Sequence, residues 1–387
     1  MLSSAFLKCF FLIKAEEIIC GRSVDSFASL ALASGILHAG PVTVLSSGFL
    51  LPETISTAPS GFGLSSGSVV GLDVGPGGMG PFAIYSVPSG GGAPTAIGGT
   101  ISGSFTQGGV FAPVAFGSLS GDYVAFGQGA ATDAAAIYSL NSAAGTASIF
   151  YSDTSGNNTI FAGSPVVAPS GFGSVGGDIL STEFNNSAGT EFIAALSPAG
   201  TLSDFANLDV TLDGFGTAFA PAGFIPGTST PTLLVSDGLS GNIEWIDSLG
   251  NSHLFTTIPL APGQTGLRQL AFAPAGFGTY GGDLFVSVSG SDNGGGTFGS
   301  VDVINSAGQM VGIISQGTVG APFDPRGLDF ASSSELLIPD ADPSIYAASA
   351  AAVTAVSATP EPNTAWFAAT AFFAYLGLRK MRSTKRS

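Results

Sequence analysis

Short runs of Val, Ile, Leu and Phe, four to seven residues long, recur along most of this chain, separated by Gly, Asn, Ser and Pro. That spacing predicts strands joined by tight turns. Repetition is visible at a larger scale. The segments TAPSGFG (57–63), FAPVAFG (111–117), VAPSGFG (167–173), FAPAGFI (219–225) and FAPAGFG (272–278) are copies of one element, and their prolines, Pro59, Pro113, Pro169, Pro221 and Pro274, are 54, 56, 52 and 53 residues apart. LDFA (328–331) is a partial sixth copy, with Phe330 58 residues after Phe272. A fixed period of this size means that one supersecondary unit is repeated and stacked.

Each unit has room for about four strands, which resembles a β-propeller blade; helical repeats would show a 3.6-residue periodicity instead. The expected fold class is therefore all-β, a propeller of six four-stranded blades. The sixth unit holds only ELLIP and SIYAA, so the N-terminal segments 42–49 and 55–62 are expected to complete it as its third and fourth strands. Closure of that kind removes exposed sheet edges. Nine positions after each proline stand Ser68, Asp122, Asp178, Thr230 and Asp283. They are expected to cap turns, with a ring of carboxylates for calcium as the alternative. The glycines of the GFG element suit positive φ, and its Phe suits packing between blades.

The two ends read differently from the body. Residues 1–39 read as a signal-peptide region: Arg22 precedes the apolar run FASLALASGIL (27–37), with cleavage expected near Ala39, and Glu16 and Glu17 suggest that the start lies too far upstream. At the other end, Pro360-Glu361-Pro362 leads into TAWFAATAFFAYLGL and the basic tail RKMRSTKRS. The order of motif, apolar segment and basic tail resembles the PEP-CTERM sorting signal, a family also catalogued as the ice-binding protein C-terminal domain. The resemblance covers residues 358–387. It implies Sec export, processing near Pro360, Glu361 and Pro362 by an exosortase, transient anchoring in the bacterial membrane, and delivery to a cell surface or matrix rich in extracellular polysaccharide. The expected organisation is a propeller over 40–350, a linker over 351–362, a transmembrane helix over 363–378 and a cytoplasmic tail over 379–387, held inside by Arg379, Lys380, Arg382, Lys385 and Arg386.

Charge and residue usage then exclude several functions. Residues 40–362 carry 23 acidic groups against two arginines, a net charge of −21, which repels nucleic-acid backbones. Cys9 and Cys20 both precede the expected mature start, and no lysine stands between Lys14 and Lys380. Thiolate nucleophiles, disulfides and lysine Schiff bases are thereby unavailable to the mature body. His253, the histidine left, is expected on an exposed turn, and Asp237–Asn242 and Ser291–Gly294 are expected hairpin turns, with calcium binding as the alternative. No catalytic constellation is visible, so no enzyme activity is expected. Arg268 and Arg326 precede equivalent apolar strands, GLRQLAFAP and PRGLDFA; both are candidates to face a ligand such as an anionic sugar at one end of a central channel, with pairing to Asp324 or Asp329 as the alternative. The expected function is a non-enzymatic propeller that binds polysaccharide or another envelope component without a cofactor; the alternative is a calcium-dependent propeller hydrolase or lactonase.

Overall fold

A computed structural model describes residues 42–74, 82–101, 103–129, 134–154, 159–208, 214–290, 299–315, 319, 323–341 and 344–356. Six antiparallel sheets follow one another. The described chain opens with β1 (Thr43–Ser47). Blade 1 comprises β2 (Pro52–Thr57), β3 (Val69–Asp73), β4 (Phe82–Val87) and β5 (Thr95–Ile101). Blade 2 comprises β6 (Gly103–Phe111), β7 (Tyr123–Gly129), β8 (Ala135–Leu140) and β9 (Ser148–Ser152). In blade 3 the first strand is split into β10 (Thr159–Phe161) and β11 (Val166–Val167), followed by β12 (Ile179–Asn185), β13 (Thr190–Leu196) and β14 (Leu202–Asn207). Pro165 lies in the interruption, where a residue without an N–H cannot continue the ladder.

Blade 4 is β15 (Gly214–Ala220), β16 (Thr232–Asp237), β17 (Asn242–Ile246) and β18 (Ser252–Thr257); blade 5 is β19 (Gly266–Phe272), β20 (Leu284–Ser289), β21 (Ser300–Ile304) and β22 (Met310–Ser315). Blade 6 has β23 (Asp329–Ser332), β24 (Glu335–Asp340) and β25 (Ser344–Ala348), and β1 pairs with β25 from Thr43↔Ala347 to Ser47↔Ser344. The ring is thus closed by one N-terminal strand. Residues 55–62 do not join blade 6 as expected. Thr57-Ala58-Pro59 stands where Phe-Ala-Pro stands in other units, and that register makes β2 the first strand of blade 1, paired with β3 from Pro52↔Asp73 to Thr57↔Val69.

The repeated element explains how each blade seats on the next. After the first strand of blades 2, 3 and 5, the chain makes a tight turn in which Phe116, Phe172 and Phe277 donate their N–H to Pro113, Pro169 and Pro274 O, each at 2.9 Å. In blades 1, 3, 4 and 5 the turn presents the Phe ring edge-on to an aromatic of the following blade's first strand. Phe62 meets Phe111 at 4.9 Å, Phe172 meets Phe219 at 4.8 Å, Phe224 meets Phe272 at 4.8 Å and Phe277 meets Phe330 at 4.9 Å, all T-shaped. Such pairs add about 0.5–1.5 kcal/mol beyond the area they bury. The glycine after the Phe is required by space as well as by φ. At Gly173, with φ of 53°, a methyl group would lie 2.1 Å from Ser248 O of blade 4. The capping expected of Asp122, Asp178 and Asp283 is carried by their backbones: their carbonyls accept from Ala112, Ala168 and Ala273 N at 2.8–2.9 Å.

Six buried apolar clusters fill the structure, one at each junction between successive blades. The cluster joining blade 6 to blade 1 contains Phe49, Ile55, Val69, Leu337, Ile345 and Ala347, so the last junction is sealed by apolar packing as well. The start of the segment expected as a linker packs on the propeller. Ala352 is buried, β26 (Thr354–Ala355) pairs with β22, and Val356 N donates to Val311 O at 3.0 Å.

The all-β, six-bladed propeller is present, but the described residues hold no counterpart of the transmembrane helix added to that expectation. Among the described residues no helix is long and apolar enough to cross a membrane; the described helical pieces are single turns of three residues. An apolar run of about 15 residues is also short of the about 20 that a span needs. Residues 363–378, the signal region, Pro360, Glu361, Pro362 and the tail from Arg379 to Arg386 lie outside the described residues.

Candidate functional site: the axial channel

The first strands of successive blades meet around an axis, β23 with β2, β2 with β6, β11 with β15, β15 with β19, and β19 with β23. They enclose a cavity of about 340 Å³ to which all six blades contribute. Thr54 and Ser56 come from β2, Gly109 from β6, Ser164 from the interruption in blade 3, Thr217 from β15, Gln269 from β19 and Asp329 from β23. The polar lining is thus five hydroxyl or amide side chains and one carboxylate.

These groups are held by bonds that run between blades. Thr54 Oγ1 accepts from Gly109 N at 3.3 Å, and Ser56 Oγ donates to Gly109 O at 3.2 Å. Ser164, freed from its own ladder by the break before Pro165, donates its N–H to Phe215 O at 2.8 Å and its hydroxyl to Gln269 Oε1. Thr217 Oγ1 donates to Ser164 O at 2.6 Å. Within blade 5, Gln269 N donates to Ser287 Oγ at 2.8 Å. Interblade bonding of this kind fixes side-chain positions before a ligand arrives, which lowers the ordering cost of binding.

Asp329 accepts from Thr57 N at 3.2 Å and Thr57 Oγ1 at 3.4 Å. Burial pushes its carboxyl up to about 6, against the stabilising bonds from Phe330 N and Thr57. It keeps accessible surface toward the channel. A carboxylate so placed accepts hydrogen bonds from ligand hydroxyls or takes up a proton near neutrality.

Arg268 and Arg326 occupy equivalent positions, each four residues before the Phe of the repeated element. Their environments differ. Arg268 lies over the Phe215 ring, 4.1 Å from its centroid. The Arg326 side chain is 11% exposed and pairs with Asp324 across 3.7 Å. Asp324 also accepts from Ser289 Oγ and Gly290 N, both at 2.8 Å, and its own N–H donates to Asp340 Oδ2 at 2.9 Å. Neither arginine lines the channel cavity.

The calcium candidates resolve locally. Asp237 sits at a hairpin turn, where Oδ1 accepts from Leu239 N at 2.9 Å and Oδ2 from the Ser240 hydroxyl. Ser291–Gly294 lies outside the described residues. His253 stands in β18, exposed and stacked on Trp245 with centroids 4.2 Å apart. Among the described residues no group of three or more His, Cys, Asp or Glu could hold a metal ion.

No protein-family model and no curated protein matches the sequence. Solved structures do. An auxiliary nutrient binding protein from Bacteroides ovatus superposes with a TM-score of 0.52 at 12% identity, over 82% of this chain and 76% of that one. A calcium-binding protein, regucalcin, from Agrobacterium tumefaciens gives 0.50 at 13% identity, over 79% and 95%. A gluconolactonase from Xanthomonas campestris gives 0.47 at 17% identity, over 82% and 98%. The likeness is one of fold. Chemistry has to be argued from the residues of this chain.

Proposed function

We propose that this is an exported bacterial surface or matrix protein whose propeller binds a neutral, polyhydroxylated ligand, polysaccharide or its fragments, in the axial channel. The observation that carries this reading is the channel lining: hydroxyls and an amide from four blades, with a single carboxylate from a fifth. Hydroxyl-rich ligands exchange their water for such donors and acceptors without leaving a buried charge unpaired. The test is calorimetric titration of the full chain with neutral oligosaccharides of defined linkage. Gln269→Ala and Asp329→Asn are each expected to weaken binding at least about tenfold, the usual loss when a hydrogen bond to a charged or well-placed group goes. Binding unaffected by both variants, or absent for every oligosaccharide, removes the reading.

Export and sorting belong to the same proposal and rest on Pro360, Glu361 and Pro362. Replacing all three with alanine, in a host that carries an exosortase, is expected to reduce the processed surface form at least about tenfold on immunoblots, with unprocessed precursor accumulating. Unchanged processing would sink that part while leaving the channel reading intact.

A second reading, a calcium-dependent hydrolase or lactonase, draws on the names of two structural neighbours and on Asp329, whose raised carboxyl suits a general base. The described residues do not supply a calcium-binding set. Lactone hydrolysis that needs calcium and is lost in Asp329→Asn would favour this reading over the first.

A further inference from the structure

The axial channel has two unlike edges. One position before the repeated element, the six first strands carry Ser56, Val110, Val166, Ala218, Ala271 and Asp329. All but Val110 line the cavity. The strand of Asp329, β23, contacts the strand of Ser56, β2, while β11, β15 and β19 follow one another on the other side. The two polar residues are therefore neighbours, set across the channel from three small aliphatic ones.

The polar edge holds a group that the fold leaves unsatisfied. Tyr123 opens β7, and its ring runs beneath Gly109 of the neighbouring β6, where a methyl group would lie 2.5 Å from the phenol oxygen. Glycine at 109 is what lets the phenol reach the wall between β2 and β6. There the Tyr123 hydroxyl is buried and has no hydrogen-bond partner, an uncommon state for a buried tyrosine. Burial pushes its ionisation up; Thr54 opposes that shift and Asp329 reinforces it, so both channel groups lie within electrostatic reach. Thr54 Oγ1 has two lone pairs, one of which takes a long bond from Gly109 N at 3.3 Å. Asp329 is likewise held by Thr57 through long bonds of 3.2 and 3.4 Å.

The opposite edge has no such need. The Thr217 hydroxyl gives its proton to Ser164 O at 2.6 Å, and the Ser164 hydroxyl gives its own to Gln269 Oε1. Beyond them, the side chains of Val166, Ala218 and Ala271 carry neither donor nor acceptor. A ligand hydroxyl pressed against them loses its water without replacement, whereas a methyl group there gains by burial.

We propose that the channel binds a deoxy sugar residue edge-on, with its hydroxyls toward Thr54, Ser56 and Asp329 and a methyl group, in place of the usual hydroxymethyl, against Val166, Ala218 and Ala271. This rests on the channel reading given above and narrows it to one substrate class. A cavity of about 340 Å³ is at the small end of ligand sites, about 300–1,000 Å³, which suits a single sugar residue. A ligand hydroxyl that accepts the Thr54 proton turns the second lone pair of Thr54 Oγ1 to Tyr123, so that binding satisfies the buried phenol. Tyr123 is thus a positioning residue that acts on the ligand through Thr54.

The experiment titrates the full chain calorimetrically with two pairs of sugars that differ only in the 6-hydroxyl: methyl α-L-rhamnoside against methyl α-L-mannoside, and methyl α-L-fucoside against methyl α-L-galactoside. In at least one pair the deoxy sugar is expected to bind at least about tenfold more tightly, the usual cost of burying a hydroxyl without a partner. Ala271→Ser, which puts a hydroxyl on the apolar edge, is expected to narrow that preference at least about threefold. Tyr123→Phe is expected to weaken binding of the deoxy sugar at least about threefold while the melting temperature stays unchanged or rises, because the variant removes a buried group that has no partner. A merely structural tyrosine would lower both. Equal or tighter binding of the 6-hydroxy sugars, no binding of any of the four, or a Tyr123→Phe variant with unchanged affinity or a lower melting temperature overturns the proposal. Neutral oligosaccharides that still bind in that event leave the channel reading standing; if they too fail, both readings fall.

Discussion

Phe277→Ala will lower the unfolding free energy by about 3–5 kcal/mol, the usual cost of deleting a fully buried aromatic ring. The ring is 0% exposed and meets Phe285 at 5.5 Å and Phe330 at 4.9 Å, both edge-on. Its position increases the effect. Phe277 belongs to blade 5 and Phe330 to the first strand of blade 6, and blade 6 is the one whose fourth strand must come from the N-terminus. Loosening that seat weakens a junction on which ring closure depends. The measurement is equilibrium urea unfolding followed by Trp fluorescence and by far-UV circular dichroism. Leu in place of Phe277 should recover part of the loss, because most of the buried volume returns without the edge-on geometry. A change below about 1 kcal/mol for the alanine variant would mean that the repeated Phe does not hold the blades together.

The blades were legible in the sequence because one short element serves two demands at once. FAPAGFG must both turn tightly, which calls for Pro and Gly, and present a ring to the next blade, which calls for Phe. Selection on both leaves the same letters every 52 to 56 residues. Closure was half legible. The period identified the deficit in the last unit, but it took the register of β2 against β3 to show that Thr57-Ala58-Pro59 starts blade 1 and that β1 alone completes blade 6.

The sites were less visible, for a physical reason. The layer three residues before the first residue of the repeated element reads Thr54, Gly108, Ser164, Gly216, Gln269 and Gly327, glycine in three blades and a different polar residue in each of the other three. Nothing in blade assembly fixes those residues beyond the small size needed where strands meet: a methyl group at Gly216 would lie 2.1 Å from Arg268 O, and one at Gly327 2.2 Å from Glu53 O. Arg268 and Arg326 stand at matching places in the repeat, yet their surroundings differ, with Phe215 of the preceding blade under one and Asp324 two residues from the other. A cavity on blade 3, with Asp153, Glu183 and Asp204 in its lining, was missed altogether. Asp153, Glu183 and Asp204 are separated by 30 and 21 residues and form no motif; the strand order β10-β12-β13-β14 is what brings Glu183 and Asp204 into one sheet.

Asp302→Asn will stabilise the protein by about 2 kcal/mol at pH 8 and leave it nearly unchanged at pH 4. Asp302 lies in β21, 3% exposed, with Oδ1 buried and lacking a hydrogen-bond partner. Burial pushes its carboxyl up to about 6, and the bond to Ser300 offsets only part of that. A pKa higher in the folded than in the unfolded state means that the folded protein holds the proton more tightly. Its contribution favours folding below about 4, where both states are protonated and burial carries no charge. It is lost as the pH rises from about 4 through about 6, because ionisation is then easier in the unfolded chain. A rise from the ordinary carboxyl value to about 6 corresponds to about 3 kcal/mol, of which Asn forfeits some through its own buried amide donors. Asp329 at about 6 and Glu183 at about 7 carry the same sign, so the wild-type melting temperature should rise as the pH falls from 8 toward 5, the reverse of a protein stabilised by ion-paired carboxylates. The high net negative charge acts in the same direction, since protonation relieves self-repulsion. Thermal melts of wild type and Asp302→Asn across pH 4 to 8 separate the two contributions. The charge term leaves the two curves parallel, whereas the buried carboxyl makes them converge at acid pH. Parallel curves throughout would show that Asp302 is not ionised at a cost, and that the alkaline weakening comes from surface repulsion alone.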